Sequence, residues 1–192
     1  QYTQLIARRV RELNVYCEIH PFNHLPEINA SVKGIILSGG PSSVRDVDAP
    51  VIDTLSLRGK LPILGVCYGA QMMAQQAGGK VTASKHREYG RAHLRLMDTH
   101  ETFLKDIVAE SPVWMSHADT ILEVPSTFKV IASTNDVRIA AYHITNEKTY
   151  GLQFHPEVVH TEQGKQLLKN FVIDICECRG DWTPNSFIEE TV

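Results

Sequence analysis

Two hydrophobic rhythms alternate along the first eighty residues. In "TQLIARRVREL" (3–13), Leu5, Ile6, Val10 and Leu13 share one helical face. "VYCEI" (15–19) is rich in β-forming residues. "GIILSGG" (34–40) is an unbroken apolar run ending in a glycine turn, the pattern of a strand buried on both faces. "APVIDTLSL" (49–57) predicts a short helix with Pro50 near its first turn. "PILGV" (62–66) is a second buried strand, and "AQMMAQQA" (70–77) is a strong helix former stopped by Gly78 and Gly79. Helix and strand in alternation predict an α/β fold: a mostly parallel central sheet with helices on both faces.

From Lys80 to about Phe154 the rhythm shortens to β-type runs: "KVTA", "RAHLRLM", "PVWM", "KVIAST", "RIAAYHI" and "TYGLQF". Several are expected to pair antiparallel, as an extension of the sheet or a small side sheet. "TEQGKQLLKNFVIDIC" (161–176) predicts the last long helix, with Leu167, Leu168, Phe171, Val172 and Ile175 in one stripe and Thr161 as N-cap. Both ends read as cut from a longer chain. Gln1 stands at the start of a helix with no strand before it. Thr183 and Pro184 open another helix, with Phe187 and Ile188 beginning an apolar face, that stops at Val192. A short terminal helix packed on the domain is the other reading of that end.

Composition narrows the classes. At 192 residues and 43% hydrophobic, the chain can bury one proper core. A net charge of −3 without a Lys/Arg stripe argues against nucleic acid as a partner. The apolar runs are too short for a transmembrane helix, and no signal peptide opens the chain. Four cysteines, at 17, 67, 176 and 178, form no regular framework, so a reduced, cytoplasmic protein is expected. "CEC" (176–178) has the wrong spacing for a zinc knuckle and is read as structural; no metal site is expected. "SGGPSS" lacks the G-K-[ST] ending of a P-loop.

The candidate chemistry lies at "GVCYGAQ" (65–71), a strand, then G-x-C-x-G, then a helix. That is the cysteine form of a nucleophile elbow: a tight turn lifts the side chain out at the sheet edge, at a helix N-terminus that favours thiolate. A packed thiol in a glycine-rich loop would leave the same pattern. "GLQFHPEVVH" (151–160) supplies a base, His155, at a strand end, with Glu157 two positions on. In extended chain those two side chains point the same way, so Glu157 can orient the imidazole and stabilise its cation. A purely structural histidine is the competing reading, weakened by the acid partner and the elbow cysteine. The Tyr68 amide is one expected oxyanion donor, and the loop "LSGGPSS" (37–43) the expected source of a second; an ordinary Gly-Pro turn is the alternative there.

The segments "SGGPSSV", "PILGVCYGAQMMAQQAGGKV", "REYGRA", "VWMSHADTI", "GLQFHPEVVHTEQGKQLLKNF" and "CRGDWTPNSFIEE" together resemble the class I (triad-type) glutamine amidotransferases. Within that family they resemble the branch that serves glutamine-hydrolysing GMP synthetases. The resemblance implies a flavodoxin-like fold with a small antiparallel side sheet. It implies Cys67 as nucleophile, His155 as base and acid, and Glu157 as its orienting partner. Gly40 and Tyr68 would give the oxyanion amides. Gln71, Tyr89, Gly90, Ser116, His117 and Asp119 would bind L-glutamine, with the "REYG" segment (87–90) as a loop. It implies a domain at 1–180 and, at 181–192, the start of a linker or helix toward an ATP-pyrophosphatase domain. It also implies a strand ending in "DFG" ahead of residue 1, which this sequence lacks. ATP, Mg2+ and XMP would belong to the partner domain, no cofactor to this one, and any homodimer would form through the absent part. A glutaminase subunit of another synthetase, a cysteine hydrolase of similar fold and a catalytically silent docking module stay open as readings.

Overall fold

The computed structural model describes residues 2–96, 98 and 100–183, with the backbone alone at 85–88. Its elements are α1 (Thr3–Arg11), β1 (Ile35–Leu37), α2 (Thr54–Leu57), β2 (Ile63–Val66), α3 (Tyr68–Gln76), β3 (Lys80–His93), β4 (Arg95–Leu96), β5 (Pro112–Glu123), β6 (Phe128–Ser133), β7 (Ala141–Ile144), β8 (Thr149–Leu152) and α4 (Gly164–Lys169). A π-helical turn, Asn170–Ile175, prolongs α4.

The main sheet runs β1-β2-β8-β7-β6-β4, and β3 pairs with β5 in a separate two-stranded sheet. The β1–β2 and β2–β8 ladders are parallel; β8–β7, β7–β6 and β6–β4 are antiparallel. Four of the six strands (β1, β2, β8 and β6) therefore point the same way, which is the expected mostly parallel sheet with an antiparallel edge. Alternation along the strands builds a core on each face. Leu64 and Val66 of β2 and Tyr150 and Leu152 of β8 join Ile6 and Val10 of α1 and Leu167 and Leu168 of α4. Ile63 of β2 and Tyr142 and Ile144 of β7 join Ala70, Met72 and Met73 of α3. Every residue of β2 and β8 is buried; β2 carries a continuous apolar run that the sequence displays, while β8 also buries the polar Thr149. Among the described residues no helix is long and apolar enough to cross a membrane.

Several expectations are corrected. "VYCEI" forms no strand: Tyr16 and Ile19 are exposed, and the Cys17 carbonyl accepts the Arg11 guanidinium instead of a ladder bond. β-Propensity needs a neighbouring strand to act on, and none of the described strands pairs with it. The helix expected at 49–57 shortens to α2, because the Asp53 side chain caps it by accepting from the Ser56 N–H, leaving Pro50 outside. The helix expected from residue 161 starts only at Gly164. Thr161 does not cap it; its hydroxyl donates to the His155 carbonyl (2.6 Å) and accepts from the Trp114 N–H (3.0 Å). "REYG" is not a loop but part of β3, which fuses "KVTA" and "RAH" across an irregular register. The helix expected from Thr183 falls at 184–192, outside the described residues.

Candidate active site

β2 ends at Val66 and α3 begins at Tyr68, so Cys67 has to turn the chain alone. It does so at φ 50°, ψ −104°, in the left-handed half of conformational space that non-glycine residues avoid. Its N–H is held by the Leu152 carbonyl of β8 at 2.7 Å. The flanking glycines have a steric cause. A Cβ on Gly69 would stand 2.3 Å from the Leu37 carbonyl oxygen and 2.7 Å from the Leu37 Cβ. Neither is the end of a flexible side chain. Gly69→Ala should therefore destabilise the fold by ~3 kcal/mol despite alanine's helix preference of about 1 kcal/mol; a denaturant midpoint equal to the parent's would refute this.

His155 lies three residues beyond β8, where its N–H returns to the Trp114 carbonyl of β5 (3.1 Å). Its Nδ1 meets Glu157 Oε1 at 2.7 Å, and both side chains are wholly buried. Pro156 and Glu157 form a turn rather than the extended chain anticipated, so the pair meets by a different route. The turn depends on Gly164: a Cβ there would overlap the Pro156 carbonyl oxygen at 1.8 Å. Arg9 of α1 donates Nε to the Glu157 carbonyl oxygen at 3.1 Å, fastening the acid from outside.

The second ring nitrogen of His155, Nε2, has no hydrogen-bond partner among the described residues, while the Cys67 sulfur is near enough to act on the ring's pKa. Burial pulls the His155 pKa down, but the hydrogen bonds and charges of Cys67 and Glu157 outweigh it and push it up to about 9. Glu157 Oε2 is buried without a hydrogen-bond partner among the described residues, so the carboxylate is answered mainly by this ring. His117 goes the other way: burial lowers its pKa to about 4, against the pull of Asp119, and the positive His155 adds to the lowering. It stays neutral beside a cation.

The His117 shift has a consequence for stability. Between about pH 6.5 and 4 the unfolded chain binds a proton at His117 that the native state refuses, so stability falls as pH falls through that window. The shift corresponds to roughly 3 kcal/mol at full extent. His117→Gln should flatten the slope of unfolding free energy over that window; a slope unchanged from the parent would contradict the assignment.

A family model for Glutamine amidotransferase class-I matches residues 1–175. The chain belongs to this family. The "GMP synthase [glutamine-hydrolyzing]" of Cytophaga hutchinsonii is 60% identical over all 192 residues, and that of Phocaeicola vulgatus 58%. The chain spans about 38% of the first relative's length and 37% of the second's. Among solved structures, a "putative gmp synthase subunit a protein" from Thermoplasma acidophilum superimposes with a TM-score of 0.76 at 32% identity, covering 100% of this chain and 92% of that one. A glutamine amidotransferase from Thermotoga maritima, at 19% identity and a TM-score of 0.66 over 82% of this chain and 84% of that one, shares the fold.

The remaining residues expected in this amidotransferase site fall into two groups. The glycine loop after β1 does reach Cys67 and His155: a Cβ on Gly39 would stand 3.0 Å from His155 Cε1 and 3.4 Å from Cys67 Cβ, and Gly40 lies against the Tyr68 ring. Tyr68 is the first residue of α3, so its N–H has no acceptor one helical turn back. Register sets Tyr89 opposite Ser116 and Gly90 opposite Met115, bringing "REYG" alongside "SHAD". The Ser116 carbonyl accepts the Cys67 thiol at 3.8 Å. Along β5, however, His117 and Asp119 are buried while Ser116 falls on the alternate face. Tyr89 is 59% exposed and Gly90 sits at φ 123°. Gln71 is buried and spends its amide nitrogen on the Asp119 carbonyl (2.8 Å), fastening β5 to α3. Arg9, Ser43, Arg45 and Thr161 also support the site. No motif announced them, because each acts on a partner distant in sequence or through the backbone.

Proposed function

We propose that the chain hydrolyses the side-chain amide of L-glutamine through a Cys67–His155–Glu157 triad. The observation that carries this is the convergence of a strained elbow cysteine with a buried His–Glu pair 2.7 Å apart. The Cys67 thiolate attacks the amide carbon. The oxyanion that develops is met by the Gly40 and Tyr68 amides. The His155 imidazolium protonates the departing nitrogen, and ammonia leaves a glutamyl thioester. Neutral His155 then takes a proton from water as the water attacks the thioester. Collapse releases glutamate and restores the thiolate–imidazolium pair. Glu157 holds the ring in the orientation and tautomer that both proton transfers need.

The ammonia is proposed to aminate XMP to GMP on an ATP-pyrophosphatase partner domain in the cytoplasm. The names and greater length of the relatives support this, as do four cysteines that are all free thiols. ATP and Mg2+ would be bound by that partner. Among the described residues of this chain, no group of three or more His, Cys, Asp or Glu could hold a metal ion. The test is glutamate release from glutamine, measured alone and with the partner domain, ATP, Mg2+ and XMP. Release that rises with XMP and the partner supports the whole reading. Hydrolysis of peptide amides in preference to glutamine would replace it with a cysteine hydrolase.

A further inference from the structure

The loop after β1 makes a second set of contacts that the reaction scheme does not use. Residues 43–46 fold into a tight turn. The Ser43 N–H donates to the Asp46 carboxylate (3.0 Å), the Arg45 N–H to the Ser43 hydroxyl (3.1 Å), and the Asp46 N–H to the Ser43 carbonyl (3.1 Å). Val44 is buried in the core that covers α3. The turn presents Ser43 and Arg45 to Asp119 of β5. Arg45 gives Nε and Nη2 to Asp119 Oδ1 at 3.2 and 2.8 Å, and the Ser43 hydroxyl donates to Oδ2. Both carboxylate oxygens are thus held by the loop, while Gln71 holds the backbone carbonyl of the same residue.

We propose that Arg45 is a positioning residue: with Ser43 it latches loop 38–46 onto Asp119 and so sets where the Gly40 amide stands relative to Cys67. This rests on the function proposed above. The Asp119 side chain is 4% exposed, unlike the usual surface ion pair, so loss of Arg45 strands a buried carboxylate. Loop 38–42 contains no helix or strand whose backbone ladder would hold the glycines in place if Ser43 moved. At its other end the Thr3 hydroxyl donates to the Ser38 hydroxyl (2.9 Å), so the glycines hang between two fixed points. The latch also gives Asp119 a duty other than the glutamine contact that the resemblance implied.

The test is Arg45→Ala in the full-length protein, read by amide hydrogen exchange and by steady-state kinetics. Exchange at loop 38–46 should quicken by about tenfold or more while β2 and α3 keep their protection. The kcat for glutamate release should fall by about tenfold or more, with KM within about twofold, because a mislaid oxyanion donor is felt in the transition state. Alkylation of Cys67 by iodoacetamide should stay within about twofold, since displacement at a methylene carbon builds no oxyanion. Arg45→Lys should restore part of kcat by keeping the charge, and Ser43→Ala should act in the same direction, more weakly. Unchanged loop exchange overturns the latch. So does a rise in KM at constant kcat, which would make Asp119 and Arg45 substrate contacts, or a loss of protection spread through β2 and α3. If the parent protein releases no glutamate, the proposed function fails, and the exchange result still decides the latch.

Discussion

Cys67→Ala is expected to abolish glutamate release, with a loss on the order of 10⁴-fold or more, because no other group can form the thioester. The folded state should survive, since the residue is held by backbone contacts to β8 and α3 and not by its sulfur alone. Cys67→Gly makes the sharper comparison. At φ 50°, ψ −104° a side chain costs about 1–3 kcal/mol that glycine does not incur. The glycine variant should therefore be inactive and yet unfold at higher denaturant than the parent. Glutamate release and an unfolding curve on the same samples check both halves. A glycine variant less stable than alanine would mean that the elbow is not strained.

Glu157→Gln should be the next most damaging change, lowering kcat by roughly 10³–10⁴-fold while leaving the shape of the site intact. The amide cannot balance an imidazolium and can present the wrong hydrogen-bonding group to Nδ1. It also removes one of the two neighbours that lift His155 to a pKa of about 9. In the parent, kcat/KM should decline on the alkaline side near pH 9, as the Cys67–His155 pair loses the proton that leaves with ammonia. In Glu157→Gln that limb should move toward neutral pH. The same shift enters stability. His155 protonated in the native state but not in the unfolded one stabilises fully below about pH 6.5, and the gain is lost as pH rises through about 9. An alkaline limb unmoved by the substitution would assign it to some other group.

The grouping of Cys67, His155 and Glu157 was legible because each sits in a local frame with a physical demand: glycines around Cys67, a carboxylate two residues from His155. The β1–β2 half of the parallel ladder was legible for the same reason, since both strands are unbroken apolar runs, whereas β8 (Thr149–Leu152) carries a threonine and stood among the runs of which several were expected to pair antiparallel. What the sequence concealed was long-range or backbone-directed. Ser43 and Arg45 reach Asp119 across 76 and 74 residues, and nothing in their own neighbourhood requires it. Thr161 has the composition of a helix cap and is recruited by His155 and Trp114. "VYCEI" has the composition of a strand but no described strand that pairs with it. The meeting of His155 and Glu157 was anticipated from extended geometry and is achieved by a turn, which Gly164 permits.

The depth of the proposed triad bears on how long the enzyme stays usable. Cys67 shows 3% of its surface, His155 and Glu157 none, and the Tyr2 ring stands edge-on to the imidazole at 5.6 Å. Oxidants attack sulfur they can reach. A sulfur held at this depth is out of contact with peroxide, so any opening that admits a substrate is also the opening that admits the oxidant. Oxidative wear should then follow the number of turnovers rather than the hours elapsed.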